Sequence, residues 1–277
     1  MKKTVGIIGL GLMGGSLAKA FKSYTNYSVL GYDICESTNK KAILLEAVDE
    51  IADPKTIAQC DLVFIALYPH AAAEFVKNHV SNFNPGSIIC DLCGVKQFVC
   101  EQVLGMDLAP EVTFIGGHPM AGREFSGFDH SQTELFAGAS MILTPTDNTP
   151  LEKTNFMRGM FLGLGFANVV VTKPDNHDQI IAFTSQLAHI VSNSYVKSPT
   201  APKHAGFSAG SFKDLTRVAK LNPVMWAELF MLNRGNLMSE IDLIAGHLQE
   251  YKNVLEAGDQ ARLEQLLKAG SDIKESL

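Results

Sequence analysis

The stretch Thr4–Phe21, TVGIIGLGLMGGSLAKAF, constrains this chain more than any other. Apolar Val5, Ile7, Ile8 and Leu10 lead into Gly9-x-Gly11-x-x-Gly14, and Ser16, Leu17, Ala18 and Ala20 then open a helix. The first glycine permits a tight turn, the second lets the backbone approach a pyrophosphate, and the third lets the helix pack closely on the strand. A phosphate held by this turn, which also contains Leu12 and Met13, sits at a helix N-terminus, where free N–H groups and the dipole favour an anion.

A lone glycine pattern is weak, so its context carries the reading. A second strand candidate, Ser28–Tyr32, ends in Asp33, about 24 residues beyond Gly9, where an acid can bind a ribose 2′-hydroxyl. Asp33 repels a 2′-phosphate, and Ile34 and Cys35 offer no arginine to welcome one. NAD is therefore expected rather than NADP.

Past this point strands and helices alternate. Asp61–Leu67 is a continuous apolar run of the kind buried on both faces of a parallel sheet. Ser87–Cys90 ends in Asp91, and Phe114–Gly116 delivers Gly117-His118-Pro119-Met120 into a loop. Ser140–Thr144 and Ala167–Thr172 add two more strands, whereas Val48–Ile51 reads as a turn. The pattern predicts a doubly wound, Rossmann-type, mostly parallel sheet. Ligands on such sheets bind beyond the carboxyl ends of the strands, so Asp33, Leu67 and Asp91 are expected at the cofactor.

After Lys173 no strand pattern returns. Apolar residues recur at helical spacing through Ile180, Ile181, Phe183, Leu187 and Ile190 and again from Val224 to Leu237. We expect a dinucleotide-binding domain over 1–172 and a helical substrate and dimerisation domain over 173–277. So much apolar surface on a small helical unit implies a homodimer. The tail from Asp259 reads as an amphipathic helix that frays.

Composition narrows the partners. A net charge of −6 with no basic run argues against nucleic acid, and no run reaches the roughly 18 apolar residues of a membrane span. Five cysteines, an odd count, suit the reducing cytoplasm. Cys90-x-x-Cys93 lacks a second pair or a histidine at ligand spacing and reads as part of a buried strand end, so no metal is expected.

Three constellations carry chemistry. His118, in a Gly-Gly-His-Pro segment at a strand end beside the nicotinamide, is placed to accept a proton as a hydride leaves. Glu124 could orient that segment. Asp175-Asn-His177-Asp178 reads as a helix start, and His189, among apolar neighbours, reads by itself as a core residue. Lys213 and Arg217 lie four apart on one helical face and could grip an anion. Trp226 reads as core.

Together GIIGLGLMGGSLA, IGGHPMAGRE, DNHDQIIAFTSQLAHI and SFKDLTRVAKLNPVMW resemble the prephenate dehydrogenase family of tyrosine biosynthesis. The resemblance spans nearly the whole chain, and its middle and late blocks are specific. It implies NAD-dependent oxidative decarboxylation of prephenate to 4-hydroxyphenylpyruvate, with arogenate or dual-specificity cyclohexadienyl activity as the near alternative. A dinucleotide-sensing dimer without turnover is the alternative of another class. By resemblance His118 is the proton acceptor and Arg217 binds substrate carboxylate. Lys213 and His189 line the pocket, which reverses the core reading of His189, and Glu124 belongs to its gate. Two positions depart from the family pattern. Gly94 stands where a serine is usual, leaving a water or Cys93 to take its place, and Gln186 replaces the first histidine of a Ser-His-Leu-Pro-His segment.

Overall fold

The computed structural model describes residues 2–122 and 125–277. The chain begins β1 (Thr4–Ile8), α1 (Leu12–Tyr24), β2 (Ser28–Tyr32), α2 (Glu36–Leu44), β3 (Glu50–Ile51), α3 (Pro54–Ala58), β4 (Leu62–Ile65) and α4 (Pro69–His79). It continues through β5 (Ile88–Asp91), α5 (Gln97–Leu104), β6 (Thr113–Pro119), β7 (Ser140–Pro145), α6 (Leu151–Gly163) and β8 (Asn168–Val171). Helices follow: α7 (Pro174–Ile181), α8 (Ala188–Tyr195), α9 (Gly210–Thr216), α10 (Pro223–Leu232), α11 (Arg234–Ala257) and α12 (Gln260–Ser276).

The strands form one sheet in the order β3-β2-β1-β4-β5-β6-β7-β8. All neighbours are parallel except β6 and β7, which pair antiparallel. Because side chains alternate across a strand, the sheet feeds two cores. Val5, Ile7 and Phe64 join one beneath α1 and α6, while Ile8, Val63 and Ile65 join the other beneath α4 and α5. This is the mostly parallel, doubly wound architecture expected. The stretch read as a turn instead contains β3, which pairs with β2, and α3, whose first N–H groups are capped by the Asp53 carboxylate at 2.9 and 3.2 Å.

The parallel register of β5 and β6 stops at Cys90 and Ile115. Strand β6 nevertheless runs on, held by β7, with His118 opposite Ile142. His118 thus stands on a strand and not in the loop expected. The extension projects past β5 at the sheet's carboxyl edge, where open α/β sheets bind ligands.

The helical part is packed differently. Only Leu237 is buried in α11 and no residue is buried in α12, although Leu243, Leu248, Leu255 and Leu267 line them. Helix α12 continues to Ser276 with Asp259 as its cap, so the expected fraying is absent. No helix among the described residues is long and apolar enough to cross a membrane.

Candidate active site

The glycine loop has the geometry a pyrophosphate needs. Gly9 has φ +85°, and a Cβ there would come within 2.5 Å of the Ala66 carbonyl; one at Gly14 would collide with the Gly9 carbonyl. A Cβ at Gly11 would meet nothing within 4 Å, so this side of the loop is open. Helix α1 starts at Leu12 and Met13 with no side-chain cap and no acid in its first turn. Its leading N–H groups therefore remain for an anion. Asp33 Oδ2 accepts from Leu10 N and Oδ1 from Cys35 N, both at 2.9 Å. A carboxylate has further lone pairs to give, so the acid is fixed at the end of β2 and still able to bind a ribose. Leu67 packs against Gly9 and accepts from the Cys93 thiol at 3.4 Å. These residues fit a bound NAD.

Asp91 does not belong to that contact set. It is fully buried and pairs with the equally buried Lys96. Its other bonds come from Cys93 N at 2.9 Å and Gly117 N at 3.3 Å. Burial opposes the Lys96 charge most strongly, but the Asp91 carboxylate together with Cys93 and Cys100 leaves the lysine pKa raised. Lys96 also donates to the Gly117 carbonyl at 2.6 Å, so the pair pins the β6 extension from below. Removing one partner of such a pair costs roughly 3–5 kcal/mol. The Cys90 and Cys93 thiols are both pushed well up by burial, which makes them inert packing groups.

His118 is oriented by residues read from the sequence as a helix start. Its Nδ1 lies 2.9 Å from His177 Nε2, and His177 Nδ1 lies 2.6 Å from Asp178 Oδ1. Asp178 Oδ1 also accepts from Lys96 N at 2.7 Å, and Oδ2 accepts from Gln97 N at 3.0 Å. The carboxylate thereby caps α5 from 81 positions away. An ionised carboxylate only accepts. His177 must therefore donate from Nδ1, its neutral Nε2 accepts, and His118 donates from its own Nδ1. The lone pair of His118 is left on Nε2. Both rings are held neutral: burial, then the repulsion a protonated His177 would exert and the charge of Lys96, push His118 well below the usual histidine range. Burial outweighs Asp178 and lowers His177 as well. Adjacent His and Asp in a helix's first turn were the available signal, but nothing local indicates a partner 59 residues upstream.

The face of His118 Nε2 is bounded by Gly94 and Leu229. A Cβ on Gly94 would stand 3.8 Å from Nε2 and 3.5 Å from both Leu229 methyls. A side chain fits there, but no hydroxyl is present. Cys93 does not substitute, because its thiol is turned to Leu67.

Helix α10 carries the site onward. Trp226, three residues before Leu229, lies tilted against His189 with ring centroids 4.0 Å apart, about 4.5 Å of helix axis from the Leu229 contact. Trp226 is half-buried, so it is a wall of the site and not the core residue expected. His189 Nδ1 donates to Val218 O at 3.1 Å. Burial chiefly lowers its pKa, and nearby Arg217 lowers it further. Its Nε2 is thus an acceptor, and Arg217 supplies the positive charge. Lys213 and Arg217 are both exposed. Glu228 joins the two parts of the chain, accepting from His70 N and Nδ1 at 2.9 Å at the start of α4. Glu124 lies outside the described residues.

Comparison with known proteins agrees with this geometry. The family described as prephenate dehydrogenase, nucleotide-binding domain, matches residues 17–171, and prephenate dehydrogenase, dimerization domain, matches 173–269. Prephenate dehydrogenase of Bacillus subtilis is 28% identical over all of this chain and 76% of its own length. Cyclohexadienyl dehydrogenase of Zymomonas mobilis is 29% identical over 93% of this chain and 90% of its own. The crystal structure of Aquifex aeolicus prephenate dehydrogenase, in complex with hydroxyphenyl propionate and NAD+, superposes with a TM-score of 0.86. It is 28% identical and covers 100% of this chain and 99% of its own. The chain belongs to the prephenate dehydrogenase family.

Proposed function

We propose that this protein is an NAD-dependent prephenate dehydrogenase of tyrosine biosynthesis, acting as a cytoplasmic homodimer. Residues 1–172 form its dinucleotide-binding domain, and 173–277 its helical substrate and dimerisation domain. The observation that carries the reading is the neutral His118, its Nε2 lone pair left free by the His177–Asp178 relay, beside a dinucleotide loop in a chain of this family.

Bound NAD would accept the hydride. His118 Nε2 takes the proton of the ring C4 hydroxyl as C4 becomes a carbonyl. The bond from C1 to the ring carboxylate breaks, CO2 leaves, and its electron pair aromatises the ring; protonation of the phenolate gives 4-hydroxyphenylpyruvate. Arg217 binds substrate carboxylate in bidentate fashion, Lys213 adds positive charge, and His189 lines the pocket at the same end. Gly9, Gly11, Leu12, Met13, Gly14, Asp33 and Leu67 hold the dinucleotide.

The exposed leucines of α11 and α12 support dimerisation through the helical domain. Four of the five cysteines are buried as free thiols, which suits a reducing compartment. The test is NADH formation by purified protein with prephenate and with arogenate, each with NAD and NADP. Turnover of prephenate with NAD is expected, and NAD binding without turnover of either substrate would overturn the proposal.

A further inference from the structure

The histidines that hold the two ends of the proposed site, His177 beside His118 and His189 beside Arg217, lie on one continuous helical run, α7 into α8. That run is not a regular α-helix. Ala182–Leu187 between them is π-helical. The phase of the two histidines depends on it. At about 100° per residue, the twelve positions from His177 to His189 would leave them about 120° apart around an α-helix. A π turn absorbs one extra residue, which brings them to within about 20°. Both ends then face α10: His189 meets Trp226, and His118, which His177 holds, meets Leu229 across Gly94.

A buried amide pair holds this turn. Asn233, at the end of α10, donates from Nδ2 to the Asp178 carbonyl and to Gln186 Oε1, each at 2.8 Å. One side chain thereby ties Asp178, four positions before the π turn, to a residue within it. Asn233 and Gln186 are both buried, and Asn233 Oδ1 accepts in turn from Asn236 at 2.8 Å. Beyond each end the run is anchored independently. Asp178 bonds α5, while Asn193 donates to Ala219 O at 3.0 Å beside the His189–Val218 bond.

We infer that the π turn Ala182–Leu187, clamped by Gln186 and Asn233, sets the register between the proton-accepting and anion-binding ends of the site, which makes these two amides positioning residues. The inference rests on the prephenate reading for its kinetic consequences, but the register itself can be read without turnover. Trp226 is the chain's only tryptophan and lies against His189, an imidazole that quenches indole emission, more strongly when protonated.

Inserting one alanine after Thr184, whose side chain is exposed, adds a residue that the π turn does not absorb and sets the two histidines about 120° apart. If α8 turns, Trp226 emission rises to the level of His189→Asn and the KM for prephenate rises 10-fold or more. If α7 turns, kcat falls and its acid limb moves. NAD affinity stays unchanged in either case. A folded insertion variant with wild-type emission, KM and kcat overturns the inference. Should the insertion not fold, Gln186→Leu, which removes the acceptor for Asn233, gives the same changes in smaller measure. Gln186→His, which keeps an acceptor, restores wild-type values. Gln186→Leu indistinguishable from wild type in emission and KM would equally refute the clamp. Wild-type protein that fails to oxidise prephenate contradicts the functional proposal alone, since the emission test stands without it.

Discussion

The two ends of the active site are built on opposite terms. At the proton-accepting end, His118, His177 and Asp178 are linked by bonds of 2.9 and 2.6 Å, and the Asp178 carboxylate is saturated by the N-terminus of α5. At the anion-binding end Lys213 and Arg217 stand exposed on a short helix, and only His189 and Trp226 are packed. The proposed proton acceptor is thus preorganised by its own chain. On the proposed reading, capture of the carboxylate is left to long side chains that settle around it.

Breaking the rigid end should have the largest effect. His118→Asn removes the proton acceptor and should lower kcat by about 10² or more, with NAD affinity unchanged by titration. Asp178→Asn should lower kcat by roughly 10- to 100-fold, the cost typical of losing an orienting partner. Its amide no longer obliges His177 to donate from Nδ1, so the Nε2 lone pair of His118 is no longer guaranteed.

At the open end the signature should invert. Arg217→Lys replaces a planar fork with a point charge and should raise the KM for prephenate by about tenfold with a smaller change in kcat, the mark of lost uniform binding.

The pH dependence sharpens the same contrast. His118, His177 and His189 are all depressed in the fold, so the unfolded chain binds more protons below its histidine pKa of about 6.5. Stability should be full above that pH and fall as acid is added toward the folded values, as urea midpoints measured at successive pH will show. The acid limb of kcat should likewise lie below 6.5.

The smallest effect is expected at Gly94→Ser. The 3.5 Å spacing to Leu229 leaves room for a Cβ, so the melting temperature should hold, and any kinetic change should appear in kcat beside His118 and not at the carboxylate end.

The contrast also explains what could be read from residues alone. The glycine loop, Asp33 and the alternating strands are local patterns, since each announces itself within a few residues. His118 was recognisable by its place at a strand end, although its strand proved longer because β7 extends it. The relay was not legible as such. His177 and Asp178 satisfy every rule for a helix start, and only the packing of α7 against β6 and α5 gives them their second use. Asp91 erred the other way, as a strand-end acid drawn inward by the buried Lys96. Ile180 and Phe183 kept helical spacing yet lie exposed, on either side of the point where the π turn shifts the phase of the run.

The central claim is that Asp178 and His177 hold His118 neutral, protonated on Nδ1, with Nε2 free to accept the substrate proton. Long-range 1H–15N NMR of histidine-labelled protein, with His118→Asn for assignment, tests it directly. The account predicts a His118 ring that at neutral pH carries its proton on Nδ1 and titrates well below 6.5. A proton on Nε2, or a ring that titrates as a free histidine does, would contradict it.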